Sequence, residues 1–331
     1  MGEPFRPVAP VDPTNLRPML FLDVAREIML SQNWPYRAVS VVMESHGGPG
    51  RFSFYGANHP DIIEDVHARR VDVSILNPAA LLTMAHRGVG AFSSPREVAT
   101  IAVLPHYDQL GFAVAGRLGF SSLADIAAAR YPLRVSVRGS MDACTPIMVD
   151  VVLRAHGFSL DDIVAWGGEI SRDQPMPNHP SRIGRLEAGE IDAIFDEGVV
   201  MWADLVASAS AGARFLPLSP SHLEGLEAQG FRRGLIEKAR YPSLPGDVPT
   251  VDFSGWPIYC RTDTPGDLVE LFCQALVSRR ADIVWDIGGV RQPPLPLERM
   301  VAESPMTPLD VPLHPRAAAV WRQHGFLPVV G

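Results

Sequence analysis

Two tripeptides, Asn58-His59-Pro60 and Asn178-His179-Pro180, lie 120 positions apart and carry residue types suited to proton transfer. Imidazole titrates near neutrality, so His59 and His179 could each carry a proton or hydrogen-bond a bound molecule. The alternative is that Asn58, His59, Asn178 and His179 only cap and turn two related helices. Each proline fits a first helical turn, where its missing N–H would be unpaired anyway. A second group is Arg138-Gly139-Ser140. Arg138 could grip a carboxylate bidentately, Gly139 would let the backbone approach a ligand, and Ser140 could hydrogen-bond an anion. The same residues would also serve as a plain strand-to-helix turn with Ser140 or Asp142 as N-cap. A third group is Asp196-Glu197-Gly198, where neighbouring carboxylates could act as acid or base, with Glu197 the proton carrier. His106-Tyr107 adds an aromatic that could stack on a ligand. Two carboxylates with two histidines could hold a divalent cation, but no HExxH or HxH spacing exists, so no metal site is expected.

Other chemistries are absent from the chain as motifs. It has no GxSxG, Walker A or GxGxxG element, which removes support for serine-hydrolase, P-loop and dinucleotide readings, and no cofactor is expected. A net charge of −8 argues against a nucleic-acid partner. No apolar run approaches the ~18 residues of a membrane span. Cys144, Cys260 and Cys273 are scattered with no CxxC, which disfavours a disulfide framework. Lys238 is the sole lysine, so Schiff-base chemistry has one candidate. The first residues show no apolar leader, so the expectation is a cytoplasmic protein, or a periplasmic one whose leader was removed.

The elements that position these residues alternate. Ala38–Glu44, Val71–Asn77, Thr100–Leu104, Leu133–Val137 and Ile191–Phe195 read as strands. Met19–Leu30, Pro60–Arg69, Ile147–His156, Pro180–Ala188 and Asp267–Arg279 read as helices. That alternation predicts an α/β protein with largely parallel sheets. An internal repeat sharpens it. Gly47-Gly48, Asn58-His59-Pro60, Ile63, Val66, Ala68, Val71 and Asp72 recur, without a gap, as Gly167-Gly168, Asn178-His179-Pro180, Ile183, Leu186, Ala188, Ile191 and Asp192. Each copy reads as strand, loop, helix and strand, and the second strands end at equivalent points, Asn77 and Glu197. Two similar lobes facing each other would hold a ligand beyond the strand ends, at helix N-termini. The repeat thus nominates Gly48, Asn58, Asn77, Gly168, Asn178 and Asp196 as cleft walls.

With those elements placed, the chain resembles type II periplasmic binding proteins. More narrowly it is similar to the solute receptors of TRAP transporters of the TAXI class and to their thiamine-pyrimidine-synthase-like relatives. The resemblance is carried by "SLADIA" (122–127), strand 133–137, Arg138-Gly139-Ser140, "LEAGEIDAIF" (186–195) and "PLHPRAAAVWRQHG" (312–325). It spans roughly Met19 onward. It implies ligand contacts at the Arg138 loop, with Thr14-Asn15 as the first-lobe counterpart. Departures are "VDPTNLRP" (11–18) where a glycine-rich loop is usual, Asp196-Glu197-Gly198 in place of a small-residue turn, and the missing leader. The segment from Ser136 to Pro175 also resembles dihydroxyphthalate-decarboxylase-like enzymes.

The expected architecture is a two-lobed α/β fold with a central cleft, one lobe from about 1–106 and 216–331, the other from about 107–215. The expected function is capture of a small organic acid in that cleft, as a solute receptor. The alternative is an intracellular lyase or decarboxylase on the same scaffold. An oligomer is possible, and transporter membrane subunits are partners only if the protein is exported.

Overall fold

The computed structural model describes residues 16–30, 38–45, 50–56, 58–139, 143–283, 285 and 294–328. Two five-stranded sheets organise the chain. The first contains β1 (Val39–Glu44), β2 (Arg51–Gly56), β3 (Val73–Ile75), β4 (Val98–Leu104) and β12 (Trp256–Arg261), in the order β1-β2-β3-β12-β4. The second contains β5 (Gly111–Val114), β6 (Arg134–Arg138), β7 (Glu169–Asp173), β8 (Ala193–Asp196) and β9 (Arg214–Phe215), in the order β7-β6-β8-β5-β9. Between β9 and β12 a small antiparallel pair, β10 (Arg233–Ile236) and β11 (Val248–Val251), is inserted.

Helices cover both sheets. The first carries α2 (Asp61–His67), α3 (Ala79–Arg87), α10 (Gly266–Ser278), α11 (Leu297–Met300) and α12 (Pro315–Gln323). The second carries α4 (Leu123–Ala129), α5 (Cys144–Ala155), α6 (Leu160–Ala165), α7 (Pro180–Glu187), α8 (Val199–Ser208) and α9 (Pro220–Ala228). An N-terminal helix, α1 (Leu16–Leu30), precedes them. Local sequence explains several boundaries. Ser122 with Asp125, and Ser159 with Asp162, form reciprocal capping boxes that start α4 and α6. α5 buries Met148, Val149, Val152 and Leu153 along the stripe expected of a helix packed on a sheet. No helix among the described residues is long and apolar enough to cross a membrane.

The sheets are mixed, which corrects the expectation of largely parallel ones. β2 pairs parallel with β3, and β6 pairs parallel with both β7 and β8. β12, however, runs antiparallel to β3 and β4, and β5 antiparallel to β8. The reason is topological: β5 and β12 are entered by chain crossing from the other sheet. The two crossings lie side by side. Leu110 N–H donates to Val251 O (3.2 Å), Phe253 N–H to Asp108 O (2.9 Å) and Gly255 N–H to His106 O (2.9 Å). The inserted segment stays with the second sheet, because Ile236, Tyr241, Leu244 and Val248 share a core with Trp202 and Phe215.

The repeat is physical. Asp72 N–H donates to Ser53 O (3.1 Å) while Asp72 Oδ2 accepts from Ser53 N–H (2.8 Å). In the second copy Asp192 N–H donates to Arg134 O (2.7 Å) and Asp192 Oδ2 accepts from Arg134 N–H (2.9 Å). The repeated aspartate thus ties the second strand of each copy to its parallel neighbour, but the neighbours differ: β2, which directly precedes α2, in the first copy, and β6, with β7 on its far side, in the second.

Candidate functional site

A cavity of about 520 Å³ lies between the two sheets' ends. Asn58, Ile75, Leu76, Asn77, Leu104, His106 and Trp256 wall it from the first sheet. Met176, Glu197, Gly198, Val200 and Met201 wall it from the second. Asn77 and Glu197 follow equivalent strands, β3 and β8, each just before a helix. Val200 and Met201 sit on the first turn of α8 and stay 59% and 46% exposed, an apolar surface turned to the opening. The lining is mostly apolar, with few polar groups, as in small-molecule sites generally.

Behind Glu197 lies a buried ionic cluster. Arg138 Nη2 donates to Asp196 Oδ1 (2.9 Å) and to Glu197 Oε1 (2.6 Å). Arg182, from α7, donates to Asp196 Oδ2 (2.6 Å), Ser136 Oγ (2.9 Å) and Pro175 O (2.8 Å). Buried charges persist only when paired in this way. Asp108, from the first crossing, closes the cluster. Its carboxylate accepts from the N–H groups of Gly198 (2.6 Å), Val199 (3.0 Å) and Gln109 (2.8 Å), so it caps α8 from a distant part of the chain. Asp108 and Glu197 also hydrogen-bond each other. Burial pushes Asp108 up to about 6, against the pull of its hydrogen bonds. Burial, and then the Asp108 charge, hold Glu197 well above the ordinary carboxyl range, with Arg138 opposing.

On the opposite wall Asn77 N–H donates to Asn58 Oδ1 (2.9 Å). His106 packs on Trp256 with ring centroids 5.1 Å apart, and burial lowers it to about 4, so its imidazole is neutral at physiological pH. Asn77 Oδ1, His106 Nδ1 and Trp256 Nε1 are buried without a hydrogen-bond partner.

The structure therefore gathers Asn58, Asn77, His106 and Glu197 of the sequence-nominated residues around one cavity. Arg138 and Asp196 stand behind it. Arg138, expected to grip a carboxylate, has its guanidinium engaged by Asp196 and Glu197. His59 and His179 lie outside the lining. His59 Nδ1 accepts from Asp61 N–H (3.3 Å) and His179 Nδ1 from Ser181 N–H (3.2 Å), at the starts of α2 and α7. His314 does the same for Arg316 (3.2 Å) at α12. In this chain His-Pro is a helix-start device. Asn178 is half-buried and also outside the lining.

Tyr107 faces a different cavity, with the Arg240 guanidinium 4.2 Å from its ring centre. His106 and Tyr107 together line a further cavity beside Trp256 and Met306, but of the two only His106 reaches the cavity between the sheets. Gly139 donates its N–H to Asp173 O (2.7 Å) and lies under Gln174. Gly168 packs against Leu133 O and Ile163, where any Cβ would clash, so its role is strand–helix packing. Thr14, Asn15, Gly48 and Ser140 lie outside the described residues. Sequence reading missed Asp108, Arg182, Met176, Val200 and Met201. Among the described residues no group of three or more His, Cys, Asp or Glu is placed to hold a metal ion.

No family model matches the chain, and no curated protein matches its sequence. Among solved structures it is similar to the alkanesulfonate-binding protein SsuA from Xanthomonas axonopodis pv. citri bound to MOPS. That pair shares 16% identity over 67% of this chain and 58% of the other, with a TM-score of 0.31. A TctC solute-binding protein from Polaromonas shares 17% identity over 62% of each chain, with a TM-score of 0.31. The periplasmic binding protein BugD shares 12% identity over 69% of this chain and 70% of the other, with a TM-score of 0.34. The chain spans less than two thirds of the length of the first two. Its own topology, two mixed sheets joined by paired crossings with a cavity between them, is a two-lobed α/β fold with a central cleft.

Proposed function

We propose that this protein is a solute receptor that captures a small organic molecule between its lobes. The observation that carries this reading is the 520 Å³, mainly apolar cavity walled from both sheets and bordered by the paired crossings. A ligand touching both walls would favour the closed arrangement over the open one by its differential contacts. We place the division between lobes at His106–Gln109 and Asp252–Trp256, which moves the inserted segment 216–251 into the second lobe. The TAXI-class resemblance of "SLADIA" and "LEAGEIDAIF" supports that receptor type, and with it an extracytoplasmic setting and a transporter membrane subunit as partner.

The lyase alternative required a histidine proton carrier beside Glu197. With His59 and His179 engaged at helix starts, Glu197 is left without that partner, and the receptor reading is favoured. The polar end of the ligand meets Glu197 and Asn77 rather than Arg138, which weakens the expectation of a carboxylate there.

A thermal-shift screen of small organic solutes tests the proposal with wild type and Met201→Trp. Saturation at about 100 times Kd stabilises a protein by about 2.7 kcal/mol, readily seen as a raised Tm. Filling the cavity with indole should abolish the shift of every wild-type hit while leaving the ligand-free Tm nearly unchanged. A hit that stabilises both proteins equally would place the ligand elsewhere.

A further inference from the structure

Glu197 is restricted in what it can offer a ligand. One oxygen already accepts from Arg138 (2.6 Å), and the carboxyl hydrogen-bonds that of Asp108. Two carboxyl groups can hydrogen-bond only by sharing a proton. Asp108 receives three backbone N–H groups, which favour its ionised form, so the shared proton sits on Glu197 and is directed at Asp108. Toward the cavity Glu197 then presents acceptor lone pairs. On the facing wall Asn77 Oδ1 is an acceptor without a partner.

The charges point the same way. The groups facing Glu197 are Asp108 on the crossing, Arg138 on β6 and Asp196 on β8, with Arg182 of α7 bound to Asp196. Three carboxyls thus meet two guanidiniums, and, since Asp173 beside Arg182 is paired with Arg185, one proton makes the cluster neutral. The titratable group on the opposite wall, His106, is uncharged at neutral pH. A single positive charge arriving from the cavity would neutralise the cluster in place of that proton. An anionic end would find the Arg138 guanidinium engaged and that of Arg182 wholly buried behind Asp196.

We propose that the cleft takes a molecule with an apolar body and a primary ammonium end, seated between Glu197 and Asn77. Its capture releases the proton shared by Asp108 and Glu197 to solvent. The inference rests on the cleft being the ligand site. Charge balances: the cluster loses one proton and gains one ammonium. Ile75, Leu104, Met176, Met201 and Trp256 would cover the apolar body.

Three probes with one apolar body, benzylamine, benzyl alcohol and benzoate, test this by titration calorimetry of the full chain at pH 7. Each is measured in phosphate and in Tris, whose different ionisation enthalpies count the protons exchanged. Benzylamine should bind tightest by about tenfold or more, because a charge-assisted hydrogen bond replaces a neutral one. It should release about one proton per molecule, and benzyl alcohol none. Glu197→Gln, checked for folding by circular dichroism, should remove the amine preference and the proton release. Asp108→Asn should independently remove the release. Tightest binding of benzoate, amine binding without proton release, or binding of none of the three would overturn the proposal. In each of those outcomes cleft capture still stands if another solute's thermal shift is abolished by Met201→Trp. If no solute's shift is abolished, the receptor reading itself falls.

Discussion

Asn77 and Glu197 stand 120 positions apart, follow equivalent strands of an internal repeat, and wall the same cavity from opposite sides. The two copies have diverged at this point. Asn77 is tied by its backbone to Asn58, whereas Glu197 is tied by its side chain to Arg138 and Asp108. One wall is thus neutral and local, the other ionic and anchored to the crossing between lobes.

Asp108 should therefore matter more for stability than its place in a connecting segment suggests. Its carboxylate serves the N–H groups of Gln109, Gly198 and Val199, all away from water. Asp108→Ala leaves those donors unpaired and should cost about 2–4 kcal/mol in urea unfolding, from the loss of a cap and of buried hydrogen bonds. Asp108→Asn keeps an acceptor oxygen and should cost less than half as much. Equal losses for the two variants would show that the cap is not what Asp108 supplies.

Glu197→Gln should change how stability depends on pH. A carboxyl with a raised folded pKa binds more protons folded than unfolded, so it lowers stability as pH climbs from the unfolded value through the folded one. Asp108 and Asp252, both raised to about 6 by burial, act alike between about pH 4 and 6. Glu197, held well above its ordinary 4.5 by burial and the Asp108 charge, adds to the same loss. Urea midpoints from pH 5 to 8 should fall for wild type and fall less steeply for Glu197→Gln. A slope unchanged by the substitution would mean that Glu197 is not protonated in the folded protein.

His59→Ala and His179→Ala should leave ligand affinity within about twofold of wild type. Each imidazole accepts from a backbone N–H at a helix start and lies outside the cavity lining. Loss of such a cap costs about 0.5–2 kcal/mol of stability. Unfolding and calorimetry on the same preparations would check both halves. A tenfold loss of affinity in either variant would return the histidines to the site.

What was legible in the sequence followed local pattern. Hydrophobic spacing placed β4, β6, α5 and α10 within a few residues, because each buries a face against one sheet. The repeat located Asn77 and Glu197 because equivalent strands end at equivalent points. Asp108 left no such signal: its cap partner Gly198 is 90 residues away, and a lone aspartate beside a predicted strand looks like any loop acid. Arg182 was hidden differently. On a short helix rich in polar residues it resembles a solvated face, yet its guanidinium is wholly buried against Asp196. Gly139 and Gly168 misled because glycine that admits a neighbouring chain and glycine that admits a ligand read identically.

The repeated aspartates make the last prediction. Asp192 accepts from Arg134 N–H (2.9 Å), Nε (3.0 Å) and Nη2 (2.8 Å), and also pairs with Arg117. Among the described residues Asp72 accepts only from Ser53, through its N–H and its hydroxyl, each at 2.8 Å. Asp192→Ala should therefore destabilise by about 2–3 kcal/mol and Asp72→Ala by about 1–2, since hydrogen bonds between charged groups are the stronger kind. Asp192 also matters in acid. Although burial alone would raise it, the hydrogen bonds and charge of Arg134 hold Asp192 below its ordinary value of 3.8. A depressed carboxylate stabilises the fold above its unfolded pKa and loses that contribution as pH falls through the folded one. Wild type should thus lose stability below about pH 4 more steeply than Asp192→Asn, and urea midpoints at pH 3 and 6 would show it. Identical acid slopes in the two proteins would remove Asp192 as the lock that carries this dependence.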